Sequence, residues 1–222
     1  MSPATAAPGA APWVPASRSL RALAAAARGC RGCPLYRHAT QTVFGAGPAR
    51  AAILLVGEQP GDREDLAGAP FVGPAGRVLD EALARAGLSR SEVFLTNAVK
   101  HFKFEPRGKK RIHQKPNAAE LEACRPWLYA ELEAVRPRVI VSLGATAARS
   151  LAAVPEGAAS GMRIATIHPS AALRAPEREV RHALRARLAR DLRKARRANQ
   201  ASQPDLRPVP RAARATRRAP PA

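Results

Sequence analysis

Several residues in this chain are of types that do chemistry in each other's company. They are Glu58 and Gln59 within Gly57-Glu58-Gln59-Pro60-Gly61, then Asn97, His113 and His168, the last in His168-Pro169-Ser170. A carboxylate can stabilise a developing cation or orient an imidazole. A neutral imidazole is a competent nucleophile when its other nitrogen is held. An imidazole N–H can also donate to charge that builds on an oxygen. A side-chain amide offers a donor and an acceptor together, Phe71 offers a stacking face, and backbone N–H groups around Gln59 and Gly61 can face an anion or a polar ring. Each residue has a plainer alternative. Glu58 can cap a helix, Asn97 can be a turn residue, Phe71 can be core, His168 can be a satisfied strand-end histidine, and His113 can be solvated in a basic loop.

The cysteines form a second constellation. Cys30-x-x-Cys33 and Cys124 are the only three. An uneven set of three does not suggest a disulfide framework, and this spacing more often marks metal, cluster or redox chemistry.

These residues must be positioned by the elements between them. The apolar run Ala51–Val56 predicts a buried strand that stops at Gly57. Further strands are expected at Val93–Leu95, Val139–Ser142 and Arg163–Ile167, and helices at 17–28 (capped by Ser17), 75–87, Asn117–Val135, Ala145–Ala153 and 176–197. Asn117 with Glu120 three residues later is a capping-box-like helix start. Strands alternating with helices imply an α/β fold: three layers around a central, mostly parallel four-stranded sheet. In such sheets ligands sit beyond the carboxyl ends of the strands. The clusters at Gly57–Gly61, Thr96-Asn97 and His168–Ser170 all fall on that predicted rim. Residues 1–16, rich in Ala and Pro, are expected to be a disordered segment, 17–197 one domain, and 198–222 a disordered basic tail.

The formal net charge is +20, which points to a polyanionic partner, nucleic acid before an anionic membrane surface. More than half of that charge lies between residues 28 and 190, so the domain is basic without its tail. No stretch approaches the roughly 18 to 20 apolar residues of a membrane span. The N-terminus lacks a basic start followed by an apolar run, so no secretory signal is read and the expected location is cytoplasmic. Nothing signals oligomerisation, and a monomer is expected.

Taken together and in this order, Gly57–Gly61, Phe71-Val72-Gly73-Pro74-Ala75-Gly76, Thr96-Asn97 and His168-Pro169-Ser170 resemble the iron–sulfur uracil-DNA glycosylases. The resemblance runs from about Cys30 to Arg190. The insertion Lys100-His101-Phe102-Lys103-Phe104, followed by Gly108-Lys109-Lys110-Arg111-Ile112-His113, is similar to the X-type subgroup (UdgX), whose loop histidine bonds to the sugar left after uracil is removed. The resemblance implies excision of uracil from DNA, with His113 as nucleophile, Glu58 beside the cationic sugar and His168 as donor to the departing base. It places Gln59, Phe71, Asn97, Arg111 and Ser170 against the substrate. It also implies a four-iron, four-sulfur cluster. Most relatives carry a Lys-Cys pair where this chain has Lys100-His101, so the expected ligands are Cys30, Cys33, Cys124 and His101, with a Cys3His zinc site or a three-iron cluster as alternatives.

Two departures carry consequences. The stretch Leu151–Met162 is short, so one sheet element is expected to be missing. Ala171 and Ala172 replace the bulky apolar residues that wedge into a DNA stack, leaving Leu173; a preference for single-stranded DNA would follow, since flipping costs less there. Two other functions remain compatible with the sequence: an ordinary multiple-turnover glycosylase with His113 on a phosphate, and a non-catalytic, metal-stabilised nucleic-acid-binding protein.

Overall fold

The computed structural model describes residues 9–155 and 160–202. Four parallel strands form the central sheet: β1 (Ile53–Gly57), β2 (Val93–Asn97), β5 (Val139–Leu143) and β6 (Met162–Thr166), in the order β2-β1-β5-β6. A two-stranded antiparallel hairpin, β3 (Phe104–Arg107) and β4 (Lys110–His113), stands apart from it. The helices are α1 (Leu20–Ala27), α2 (Asp62–Ala67), α3 (Pro74–Ala86), α4 (Ala118–Val135), α5 (Ala145–Ala152), α6 (Ser170–Arg174) and α7 (Arg178–Ala201).

The period of two along each strand builds two cores. Ile53 and Leu55 of β1, with Val93, Leu95, Val139 and Val141, pack against α3 and α7. Leu54, Val56, Phe94 and Ile140 face the opposite way, towards α1, α4 and α5. Every residue of β1, β2 and β5 is buried, which is why these strands read as continuous apolar runs. The exposed edge is β6, bonded to β5 alone and largely solvent-facing. Thr166 at its end donates to the Asp191 carboxylate of α7, so one buried polar contact fastens the long helix to the edge strand.

Chain connections leave β1 towards β2 on one side and return to β5 on the other. The carboxyl ends of β1 and β5 therefore bracket the crevice where a ligand sits in an open α/β sheet.

Several boundaries differ from those read in the sequence. The helix cap is Ser19, whose hydroxyl accepts from the Ala22 N–H, and not Ser17. Residues 9–16, expected to be disordered, are placed: the Gly9 N–H donates to the Gly32 carbonyl and the Ala10 N–H to Ala123, and Ala10 is buried. The reason is close packing, because a Cβ on Gly32 would meet the Gly9 and Ala10 backbone at 2.6–2.7 Å. Residues 1–8, 156–159 and 203–222 lie outside the described residues, and with them most of the expected N-terminal segment, part of the short 151–162 stretch and most of the expected tail. Helix α7 continues to Ala201, beyond the expected end at 197.

Candidate active site

The rim of the sheet carries the expected cluster. Glu58 and Gln59 follow β1, Asn97 ends β2, and His168 follows β6. The hairpin brings His113, at the end of β4, over the same rim. The His113 Nε2 lies 3.7 Å from the Glu58 Oε1 and 2.8 Å from the Gln59 Nε2.

Gln59 settles the state of His113. The Lys103 N–H donates to the Gln59 Oε1, which fixes the amide so that its Nε2 can only donate. Its neighbours are the carbonyls of Lys103 and Gln114 and the ring Nε2 of His113. A ring nitrogen beside an amide N–H must accept, so the Nε2 of His113 carries a lone pair and the ring proton sits on Nδ1. Burial pushes the His113 pKa below 6.5; Glu58 pulls it upward and Arg174 downward. A neutral imidazole, with a defined tautomer and its lone pair beside a carboxylate, is the result.

His168 has the opposite tautomer. The Ser170 N–H donates to the His168 Nδ1 at 3.2 Å, and the Ser170 hydroxyl lies 2.7 Å from the same nitrogen. Arg174 donates to the Ser170 oxygen, so the hydroxyl proton is directed to His168. The ring proton therefore sits on Nε2, free to donate. Burial pushes the His168 pKa down to about 4, so this donor is neutral.

Asn97, Phe71 and His168 come together on this rim, and the space they border is termed the slot. Phe71 is buried, its ring centroid 6.3 Å from that of His168. Its backbone is left-handed, φ 54°, an unusual conformation for an aromatic residue. Gly76 makes that turn possible, since a Cβ there would sit 1.9 Å from the Phe71 carbonyl oxygen. Gly57 forms the floor: a Cβ on it would meet the Asn97 Oδ1 at 2.3 Å and the Phe71 Cζ at 2.6 Å.

Two groups expected to face the substrate have partners within the protein. The Arg111 Nε and Nη1 each lie 2.6 Å from a carboxylate oxygen, of Asp62 and Asp65, and Nη1 also reaches the Thr40 hydroxyl. Its guanidinium lies over the rings of Phe102 and Phe104. It thus latches the hairpin, which carries His113, to α2. The Gly61 N–H is taken by the Glu64 carboxylate, which also accepts from Gly73.

The sequence reading missed three features. Thr146, in the first turn of α5, donates its hydroxyl to the Glu58 Oε2 at 2.5 Å. Gly57 shapes the slot. Lys100, almost wholly buried, donates to the Glu131 carboxylate at 2.6 Å, to the Thr96 hydroxyl and to the Asn97 carbonyl. Glycine at a strand's end and threonine in Gly144-Ala145-Thr146 were the available signals, but nothing in the sequence pairs them with their partners.

The three cysteines are buried together on the far side of Lys100. The Cys33 and Cys124 thiols are pushed up by burial, Cys124 to about 12, and each feels neighbouring cysteines. The Trp127 indole N–H donates to the Cys30 sulfur and the Lys100 N–H to that of Cys124. The His101 Nε2 lies 2.9 Å from the Thr42 hydroxyl, whose proton goes to the Ala27 carbonyl. The Nε2 therefore donates, and the Nδ1 lone pair is the one left for a metal. Burial holds the His101 pKa down at about 4, so the ring is neutral. Three buried thiols with N–H donors on their sulfurs and one neutral imidazole fit the donor chemistry of an iron–sulfur centre. Among the described residues no three His, Cys, Asp or Glu side chains are gathered round one point as a single ion requires.

Residues 44–193 match the model of the uracil DNA glycosylase superfamily. The chain is 44% identical over 96 residues to a type-4 uracil-DNA glycosylase of Pyrobaculum aerophilum, covering 43% of this chain and 45% of that protein. It is 41% identical over 96 residues to the type-4 uracil-DNA glycosylase of Archaeoglobus fulgidus, with the same coverage. A relative of the same type from Thermotoga maritima is 46% identical over 68 residues, 31% of this chain and 35% of its own. These matches span less than half the length of the curated relatives. With more than half of its residues matched by one family model, the chain belongs to the uracil DNA glycosylase superfamily.

Proposed function

We propose that the protein is a uracil-DNA glycosylase that traps its own product on His113. The observation that carries this is the pairing of two neutral histidines with opposite tautomers: His113 with a bare Nε2 beside Glu58, and His168 with a proton on Nε2. Uracil, flipped from the strand, lies against Phe71 with its polar edge read by Asn97. The bond between uracil N1 and the sugar C1′ breaks, and its electron pair leaves with the base. His168 donates to the oxyanion that develops on the uracil. The C1′ cation is met by the His113 Nε2 lone pair, and a C1′–N bond forms. The ring keeps its Nδ1 proton and becomes a cation.

Glu58 makes that step favourable. It has little attraction for a neutral ring, and a strong one for the alkylated cation 3.7 Å away. An interaction that appears only as charge develops lowers the barrier without tightening the ground state. The alkylated imidazolium has no easy leaving path, so the protein turns over once.

Cys30, Cys33 and Cys124, with the His101 Nδ1, would hold an iron–sulfur cluster. Its contribution when bound is structural: it ties residues 9–33 to the start of the hairpin. The partner is uracil-containing DNA, single-stranded by preference, because Ala172 is wholly buried and only Leu173 is exposed to act as a wedge. Among the described residues no helix is long and apolar enough to cross a membrane, and a cytoplasmic monomer, nucleoid-associated when bound, completes the reading.

The test is a short single-stranded DNA with one uracil, mixed with protein and then denatured by detergent and heat. A uracil-dependent shifted band, absent in His113→Ala, is the expected result. Alkali-labile cleavage without a band would leave a glycosylase that uses water. Neither band nor cleavage would mean a nucleic-acid-binding protein without this activity.

A further inference from the structure

The Glu58 carboxylate is held at one oxygen and presented at the other. Its Oε2 accepts from the Thr146 hydroxyl at 2.5 Å, and its Oε1 lies 3.7 Å from the His113 Nε2. Among the described residues, Thr146 is the one side chain that donates a hydrogen bond to Glu58. We propose that Thr146 is a positioning residue for the reaction, which holds one oxygen of the Glu58 carboxylate and aims the other at the sugar and at His113. This rests on the reading of Glu58 given above, and adds a residue to it.

The local chemistry suits that role. A glutamate beyond a strand end has three rotatable side-chain bonds, and leaving them free costs orientation at the moment of reaction. Threonine is stiff at χ1, so its oxygen is a fixed point once the backbone is fixed. The backbone is fixed: the Gly144 N–H donates to the Thr166 carbonyl, the Ala148 N–H to the Gly144 carbonyl, and Gly144 takes φ 91° to enter the helix. Threonine inside a helix commonly returns its hydroxyl proton to a carbonyl four residues back. At 146, in the first turn, position 142 belongs to β5, and the proton is given to Glu58 instead. Thr146 is 3% exposed, so water does not compete for it.

The other groups facing Glu58 are His113 from β4 and His168 from the turn after β6, both held neutral by burial, with Arg174 of α6 acting on the two histidines. Neither histidine brings a positive charge to the carboxylate before reaction. The Thr146 hydroxyl is therefore the side-chain donor that orients the carboxylate before reaction.

The experiment measures single-turnover uracil release and adduct formation from a single-stranded oligonucleotide at neutral pH, for the full-length protein and for T146V and T146S. Thermal midpoints are measured alongside. In T146V we expect the rate to fall about tenfold, the scale of a lost hydrogen bond to a charged group. We also expect an unchanged midpoint, and T146S to recover the rate because it keeps the hydroxyl. A T146V protein with the parent rate overturns the inference. So does a lower rate that T146S fails to restore, which would make Thr146 a packing residue. If the parent protein releases no uracil, the underlying reading of the site fails and the inference falls with it, a result distinct from either T146V outcome.

Discussion

At the scale of single residues, the site depends on groups that are kept neutral and on glycines that leave room. His168 is held at about 4 because burial disfavours its cation. In the unfolded chain it titrates near 6.5, so below that pH the unfolded state binds more protons than the folded one. Stability is therefore lost as pH falls from about 6.5 towards 4. We expect His168→Asn to reduce this acid loss by on the order of 2 kcal/mol, read from urea unfolding at pH 7 and pH 4.5. If His168 is the donor to the departing base, the same substitution should lower uracil release about a hundredfold or more. An acid loss identical to the parent's would show that His168 is not the buried titrating group. Gly57 makes a sharper steric case. With Asn97 and Phe71 closing on the position where a Cβ would lie, Gly57→Ala should abolish uracil release while leaving a cooperative thermal transition. A retained activity would mean the slot is not where the base sits.

At the scale of elements, the hairpin is what distinguishes this molecule from a bare sheet with a rim. Its hold is tertiary. The Arg111 guanidinium joins Asp62 and the wholly buried Asp65, and covers Phe102 and Phe104. Arg111→Met keeps apolar cover on those rings but leaves Asp65 without its cation, at a cost of about 1–3 kcal/mol in urea unfolding. It should also loosen His113 relative to Glu58. The expected signature is a changed partition, with uracil still released but a larger share of product as free abasic DNA in place of adduct. Equal loss of both would argue that Arg111 serves the base and not the hairpin. This element was also the least legible in the sequence. Residues 103–113 show no alternation of apolar and polar residues, Pro106 sits inside a strand, and the basic tip reads as a surface loop. What makes it a hairpin is a set of contacts with α2, fifty residues away. The helix α2 itself, with acidic residues Asp62, Glu64 and Asp65 in its first turn, was passed over for the same reason.

At the scale of the whole molecule, the strands were visible: β1, β2, β5 and β6 were each expected within two residues, the first three because parallel strands buried on both faces leave unbroken apolar runs. Rim positions such as Glu58, Asn97 and His168 followed from the ends of those strands. The link between the cysteines and the rim did not, since Lys100 and Glu131 meet only in the folded chain. Charge, by contrast, is a bulk property, and +20 on 222 residues was readable at once. Its consequence can be separated from the chemistry of the slot. Phosphate contacts carry affinity without reading bases, so binding to single-stranded DNA should weaken steeply with salt, alike for uracil-containing and thymine-only strands. The exposed tip of the hairpin, Arg107, Lys109 and Lys110, would take part of that load. Lys109→Ala with Lys110→Ala should reduce the slope of log affinity against log salt by about 1.4, at roughly 0.7 for each phosphate contact on a single strand. Fluorescence anisotropy over a salt series measures it, using Glu58→Gln protein so that no adduct forms. The uracil-release rate at saturating DNA should remain near that of the parent in the double variant, because neither lysine touches the slot. An unchanged slope would place the DNA backbone on another face, and would leave the hairpin with His113 as its only contribution to the substrate.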